Sequence, residues 1–420
     1  MNLKKLLPIL FAALMTMPGL CLRLAGGHLA PLFMALAAGA AILGASFLLL
    51  WACDAAQADI SQALALAVVA LIAVLPEYSV DMYFTWQAGK FPDGDYAHFA
   101  IANMTGANRL LIGVAWGMIA LICWVRFKRP VRIEKDRRTE LFFLGLSTLY
   151  AFVIPFKGTL AWYDGLVFLG IYAWYIAVAG RRPCGELEAE GPALVLVALP
   201  KAKRRLATLA LFLFAGGVIL ANAAPFCEGL VGTGKQFGLN QFLLVQWLAP
   251  IASEAPEFIV ALVFAWRGQA GMALGSLLSA KLNQWTLLVG MIPGVFALSH
   301  GSFEHPLPMG ALQLHEILLT AAQSFLAVSL LASLRLTIGG AILLFGLFFG
   351  QLILPLLVTA NPQLFFGLAA WQIHPVFSTL YFAAAAPIIA NHPGRFFRLA
   401  DGFRVPAPAD VSPVELAAKA

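Results

Sequence analysis

The chain has 420 residues, 61% of them hydrophobic and only 11% charged, with a mean hydropathy of +0.85; soluble domains carry about 25% charged residues. This excludes a water-soluble globule and points to a polytopic membrane protein. The formal charge of +6 and pI near 9.1 do not imply nucleic acid, because the basic residues are distributed by membrane topology.

In chain order, the opening MNLKKLLPILFAALMTM joins Lys4 and Lys5 to an apolar run, as a signal peptide would, but no A-x-A site follows cleanly. A retained first helix is expected. Apolar windows cut by charge, Gly and Pro predict about twelve transmembrane helices, near 6–23, 30–53, 60–88, 96–125, 140–156, 160–180, 206–224, 239–266, 270–298, 312–333, 337–358 and 364–390. With the N-terminus inside, 21 of the 27 Lys and Arg fall on cytoplasmic segments: two at the N-terminus, seven in 126–138, six in 181–205, Arg267, Arg335 and four in the tail. Arg23, Lys90, Lys157 and Lys235 fall on the other side, and Arg109 and Lys281 inside the membrane. The bias fits the positive-inside rule.

The polar stretch 181–205 reads as a cytoplasmic linker between a first five-helix half, 30–180, and a second, 206–358. An odd number of helices per half makes the second half enter from the opposite side, so the fold class is an all-α inverted repeat. Segments 1–29 and 359–390 add one helix at each end, and the Pro-rich 391–420 is a cytoplasmic tail. The five cysteines are scattered without ligand spacing and read as ordinary small side chains.

The repeat is visible in the residues. LPEYSVDMYFTWQAG, 75–89, and APEFIVALVFAWRGQ, 255–269, each place a Pro-Glu pair nine residues before a Trp, Trp86 or Trp266. Next come IANMTGANRLLIG, ending at Gly113, and LLSAKLNQWTLLVG, ending at Gly290. Pro76 and Pro256 remove a helix donor and free the carbonyls of Ile72 and Ala252, so both helices are expected to break beside Glu77 and Glu257. Paired broken helices in two halves mark the midplane site of a secondary transporter.

Glu77 and Glu257 are the first candidate ion and metal ligands, because an ionisable group at bilayer depth is costly and needs a reason. Asp81 and Ser253 share helix faces with them, and Glu254 lies three residues before Glu257. Two carboxylates in one dry site do not both ionise cheaply, so one is expected to hold a proton, suiting either proton coupling or an inert acid. The amides Asn103, Asn108 and Gln284, with Asn283, are candidate ligands or interhelical glue. Arg109 and Lys281 are candidate coupling groups or counter-charges, Lys281 also a partner for Glu254 or Glu257. The bland alternative for the glutamates is kink stabilisation. Trp86 and Trp266 read as belt anchors. His300, Glu304 and His305 form either a solvated loop or a collector of a divalent ion. No P-loop, nucleotide fingerprint, hydrolytic triad or zinc motif is present, so no enzyme activity, no cofactor and no ATP or nucleic acid partner is expected. The expected partners are small cations and the lipid bilayer.

The pattern resembles the cation/calcium antiporter superfamily, the sodium/calcium exchangers, whose inverted repeats carry a Pro-Glu break and then a GNxxGSNxxN-like run. LPE at 75–77 and APE at 255–257 match the first part; GSLLSAKLNQ from Gly275 matches the second, with Ser279-Ala280-Lys281 for Gly-Ser-Asn. ANMTGANRLLIG leaves the register open between Ala107 and Leu111 as counterpart of Gln284. The resemblance implies ten core helices and exchange of calcium against Na+, K+ or H+ by alternating access, with Glu77 and Glu257 at the site. The departures are Ala73-Val74 and Ser253-Glu254 where the family has hydroxyl pairs. They leave two alternatives: a scaffold that no longer transports, or a transporter of anionic or organic substrates using Arg109 and Lys281.

Overall fold

A computed structural model describes residues 3–26, 29–60, 70–181, 191–361, 363 and 369–403. The expected start of the third helix, much of the linker, residues 364–368 and most of the tail lie outside this set. Eleven helices among the described residues are long and apolar enough to cross a membrane. We number them with the third helix included: α1 Leu6–Leu24, α2 Pro31–Ala56, α3 Leu75–Lys90, α4 Tyr96–Phe127, α5 Lys135–Lys157, α6 Trp162–Ala179, α7 Lys201–Phe237, α8 Gln241–Trp266, α9 Ala270–His300, α10 Ala311–Leu331, α11 Ile338–Thr359 and α12 Ile373–Asn391. Helix is what a bilayer imposes, because backbone groups there find no water.

The seventh helix departs from expectation at both ends. It begins at Lys201, inside the expected linker, and runs to Phe237 through Pro225. KAKRR is a run of good helix formers behind Pro200, and one internal proline removes only one ladder bond. α7 packs along α2 through small residues. A Cβ on Gly229 would lie 2.6 Å from the Ala35 nitrogen, so the backbones approach as lipid-embedded helices do when small side chains meet.

The contacts at the helix ends sort the connections into two groups, as alternation requires. At one end, β1 Val131–Arg132 pairs antiparallel with β2 Arg335–Leu336, Arg129 Nη2 donates to the Gly268 carbonyl at 3.4 Å, and Thr139 Oγ1 donates to that of Gly402 at 2.8 Å. At the other, Leu160 bridges Leu307 and Ser299 Oγ donates to the Trp86 carbonyl at 2.6 Å.

The two prolines of the repeat do different things. In the first half, Val74 leaves the helical region at φ −91°, ψ 12°, and Pro76 falls at the start of α3, where its missing N–H costs nothing. In the second half the expected break beside Glu257 does not occur. α8 is continuous through Pro250 and Pro256. Each proline removes a single ladder bond, at the carbonyls of Gln246 and Ala252, and the remaining bonds carry the helix through; Ser253 Oγ donates elsewhere, to the carbonyls of Ala249 at 3.2 Å and Pro250 at 3.3 Å.

Matching irregularity appears one helix later in each half. α4 winds into a π-helix at Leu111–Trp116 and α9 at Gln284–Leu288, a rare form concentrated at functional sites. Aligning the two onsets pairs Leu111 with Gln284, Asn108 with Lys281 and Gly106 with Ser279, the Leu111 choice of the two the sequence left open.

Candidate cation site

Four helices meet at the centre: α3 brings Glu77 and Asp81, α8 brings Ser253, Glu254 and Glu257, α4 brings Asn103, Asn108 and Arg109, and α9 brings Lys281 and Gln284. Gly106 sets how closely α4 approaches α8. A Cβ there would lie 1.9 Å from the carbonyl oxygen of Gln246, the group that loses its donor to Pro250. Only glycine fits.

Within each hairpin an amide holds a carboxylate. Asn103 Nδ2 donates to Asp81 Oδ1 at 2.7 Å, and Gln284 Nε2 donates to Glu254 Oε1 at 3.1 Å. Each amide thereby leaves its own oxygen free. Asn103 Oδ1, Gln284 Oε1, Asp81 Oδ2, Glu254 Oε2 and Glu77 Oε2 are all buried without a hydrogen-bond partner. Buried polar atoms are normally satisfied, and these five share one deficiency: they are acceptors lacking a donor. A cation removes that deficiency.

The charges of Glu77, Asp81, Glu254 and Glu257 act on one another. Glu77 is 1% exposed and Glu254 fully buried, whereas Glu257 is only partly buried. Among the described residues no three His, Cys, Asp or Glu side chains converge tightly enough to hold a metal ion by themselves. A cation bound here would therefore also draw on neutral oxygens.

Three expected roles change. Asn108 is no free ligand: its Nδ2 donates to the Met104 carbonyl at 2.8 Å, and its Oδ1 accepts from Lys281 Nζ at 2.6 Å. Lys281 forms no ion pair with Glu254 or Glu257. Its ammonium also lies 3.4 Å from the Asn108 carbonyl and 4.4 Å from the centre of the Trp285 ring, an all-neutral set available because Asn108 is its repeat counterpart. Arg109 is no counter-charge at the site, since its Nη2 pairs with Glu316 Oε2 and its guanidinium lies 5.2 Å over Trp247. This removes one of the two cations on which an anion transporter would depend. Ser253 donates along its own helix, α8.

Glu316 was legible as an acid inside an apolar run, LQLHEILLT, but the repeat motif drew no attention to it. Outside the site, His300 stacks on Phe296 with centroids 5.5 Å apart, lies 3.3 Å from the Gly89 carbonyl through Nδ1 and has its ring centre 5.3 Å from that of His305; among the described residues these and Glu304 do not form a group that could hold a metal ion. Trp86 and Trp266 are 44% and 57% exposed, as belt anchors are.

Two helix hairpins of opposite entry, closing around buried acceptor oxygens, define a secondary cation antiporter. A family model described as sodium/calcium exchanger protein matches residues 30–180 and 207–357. The chain belongs to the sodium/calcium exchanger family, whose members are transporters. It is 39% identical to the crystal structure of an H+/Ca2+ exchanger, CAX, over 95% of this chain and 98% of that one, with a TM-score of 0.88. A structure of the sodium-calcium exchanger NCX_Mj shares the fold at 20% identity and a TM-score of 0.50, covering 77% of this chain and 96% of that one. An uncharacterised membrane protein of Methanocaldococcus jannaschii is 23% identical over 187 residues, 44% of this chain; the match spans little more than half, 56%, of that relative.

Proposed function

We propose that the chain exchanges calcium for protons by alternating access. Glu77 and Glu257 draw the cation in, and Asp81, Glu254, Ser253, Asn103 and Gln284 supply further oxygens. The observation that carries this reading is the set of five buried acceptor oxygens without donors on α3, α4, α8 and α9. Calcium takes 6 to 8 oxygen ligands in flexible geometry, which suits paired carboxylates supplemented by amide and carbonyl oxygens. When the cation leaves, like charges in a dry site favour proton uptake, and that gives the exchange its counter-ion. The likeness to an H+/Ca2+ exchanger over nearly the whole chain supports both ions.

Lys281 takes the place of one co-bound monovalent cation. Its ammonium rests on an amide oxygen, a carbonyl oxygen and an aromatic face, the neutral set a sodium ion would use, so exchange runs without sodium. The location is the plasma membrane with both termini cytoplasmic, supported by the Lys and Arg excess on one group of connections.

Calcium titration of the detergent-solubilised protein, followed by thermal unfolding, tests the site. At a hundred times Kd a ligand stabilises by about 2.7 kcal/mol. The wild type should show the corresponding rise in Tm, and Glu77→Gln and Glu257→Gln should not. An equal rise in both variants would make kink stabilisation the better account of these residues.

A further inference from the structure

A second buried cluster of ionisable groups lies beyond the cation site, and two of its members, His374 and Tyr381, come from a helix outside the repeats. Glu316 on α10 is 1% exposed and divides its two oxygens, Oε2 to Arg109 and Oε1 to His374 Nε2 at 3.5 Å. His374 is the second residue of α12, which lies outside both segments matched by the family model. His374 Nδ1, His315 Nδ1, Gln323 Oε1 and the Tyr381 hydroxyl are all buried without partners. Gln323 reaches the cluster by donating Nε2 to the Arg109 carbonyl at 3.3 Å.

We propose that Glu316 and His374 form a proton-binding site, separate from the central carboxylates, through which proton concentration acts on transport by changing how firmly Glu316 holds Arg109. Imidazole is the one side chain whose ordinary titration falls between pH 5 and 8. Once protonated, His374 is a second cation on the carboxylate that Arg109 requires, and the two compete for it. Arg109 adjoins Asn108, whose oxygen holds Lys281, and Lys281 lies one turn before Gln284, which donates to Glu254. A shift in the grip on Arg109 is thereby delivered to α4 at its contact with the cation site.

The surroundings of His374 supply no other acid among the described residues. From α10 it faces Glu316 and His315; from α4, Arg109 faces it through Glu316. α11 offers no titratable group, and Arg395 lies beyond the opposite end of α12. His374 stands in the first turn of α12, and its side chain keeps 11% of its surface exposed.

The proposal rests on the reading of the chain as a cation antiporter, and the test separates the two. Initial rates of labelled calcium uptake are measured in proteoliposomes at equal internal and external pH, from 5.5 to 8.5, for wild type, His374→Gln and His374→Arg. The wild-type rate should change by about fivefold or more across this range, the lower end of ordinary coupling between sites. The protons exchanged at the central carboxylates give every protein some pH dependence; beyond it, Gln, which keeps a donor but cannot titrate, should match the wild-type rate at alkaline pH and depart from it at acid pH, and Arg, permanently charged, should do the reverse. A merely structural His374 would lower all rates without altering the profile. Both variants following the wild-type profile, or both behaving alike, would overturn the proposal, and so would a flat wild-type profile even if neither variant inserts. Absence of calcium flux from the wild type would instead count against the transport reading.

Discussion

Replacing Lys281 by Met keeps the length and apolar stem of the side chain and removes its charge. In the structure the ammonium occupies a pocket made by Asn108 Oδ1 at 2.6 Å, the Asn108 carbonyl at 3.4 Å and the face of Trp285 at 4.4 Å. A sodium ion entering beside it meets a like charge. At ~4 Å and an effective dielectric of 20 the repulsion is about 4 kcal/mol, roughly a thousandfold in affinity. Lys281→Met removes this barrier and frees the amide oxygen for an incoming ion. The unpaired Asn108 oxygen costs about 1–3 kcal/mol, which the empty variant shows as a lower Tm and which bound sodium partly restores. The assay is labelled calcium uptake into proteoliposomes across a pH gradient, with sodium exchanged for choline. Wild-type uptake should be indifferent to that exchange, whereas the variant should become sodium-sensitive. Strict sodium dependence of the wild type would refute the reasoning.

Three other outcomes follow from particular contacts. Gly106→Val forces a side chain into the Gln246 carbonyl and should cost about 1–3 kcal/mol or more by overpacking, read as a fall in Tm; Gly170→Ala, with nothing within 4 Å of the new Cβ, should leave Tm nearly unchanged. Cysteines introduced in 126–138 and in 181–205 should both be labelled only from the cytoplasmic side, and labelling from opposite sides would remove the inverted repeat. The hydrogen bond from Arg204 draws the Asp59 carboxyl down to about 2. Because its folded value is depressed, its contribution is complete above the ordinary carboxylate value of about 3.9 and is lost as pH falls through about 2. The difference in unfolding temperature between wild type and Arg204→Met should therefore shrink between pH 4 and pH 2.

The helical spans and the alternation of connections were legible because each rests on a local signal: span-length apolar runs and charge placement. The break expected in α8 was not there, because each proline removes only one ladder bond, at Gln246 or Ala252, and the rest of the 26-residue helix carries it through. The roles of the basic residues were not legible either. Arg109 and Lys281 stand in corresponding motif segments, yet Arg109 turns away to Glu316, 207 residues on, and Lys281 turns across the pseudo-symmetry axis to Asn108. Both partners are fixed by helix rotation, which the π-helical turns at Leu111 and Gln284 alter in a way that 3.6-residue periodicity does not foresee. Glu316 carried a signal of its own, a lone acid in an apolar helix. His374 carried none, since its importance comes only from where α12 docks.

The measurement that tests the central claim most directly is uptake of labelled calcium into proteoliposomes driven by an imposed pH gradient, for wild type, Glu77→Gln and Glu257→Gln with matched insertion and unfolding temperature. The account predicts wild-type uptake that collapses when a protonophore dissipates the gradient, and none above protein-free vesicles in either variant. Gradient-driven uptake persisting at the wild-type rate in both variants would contradict it.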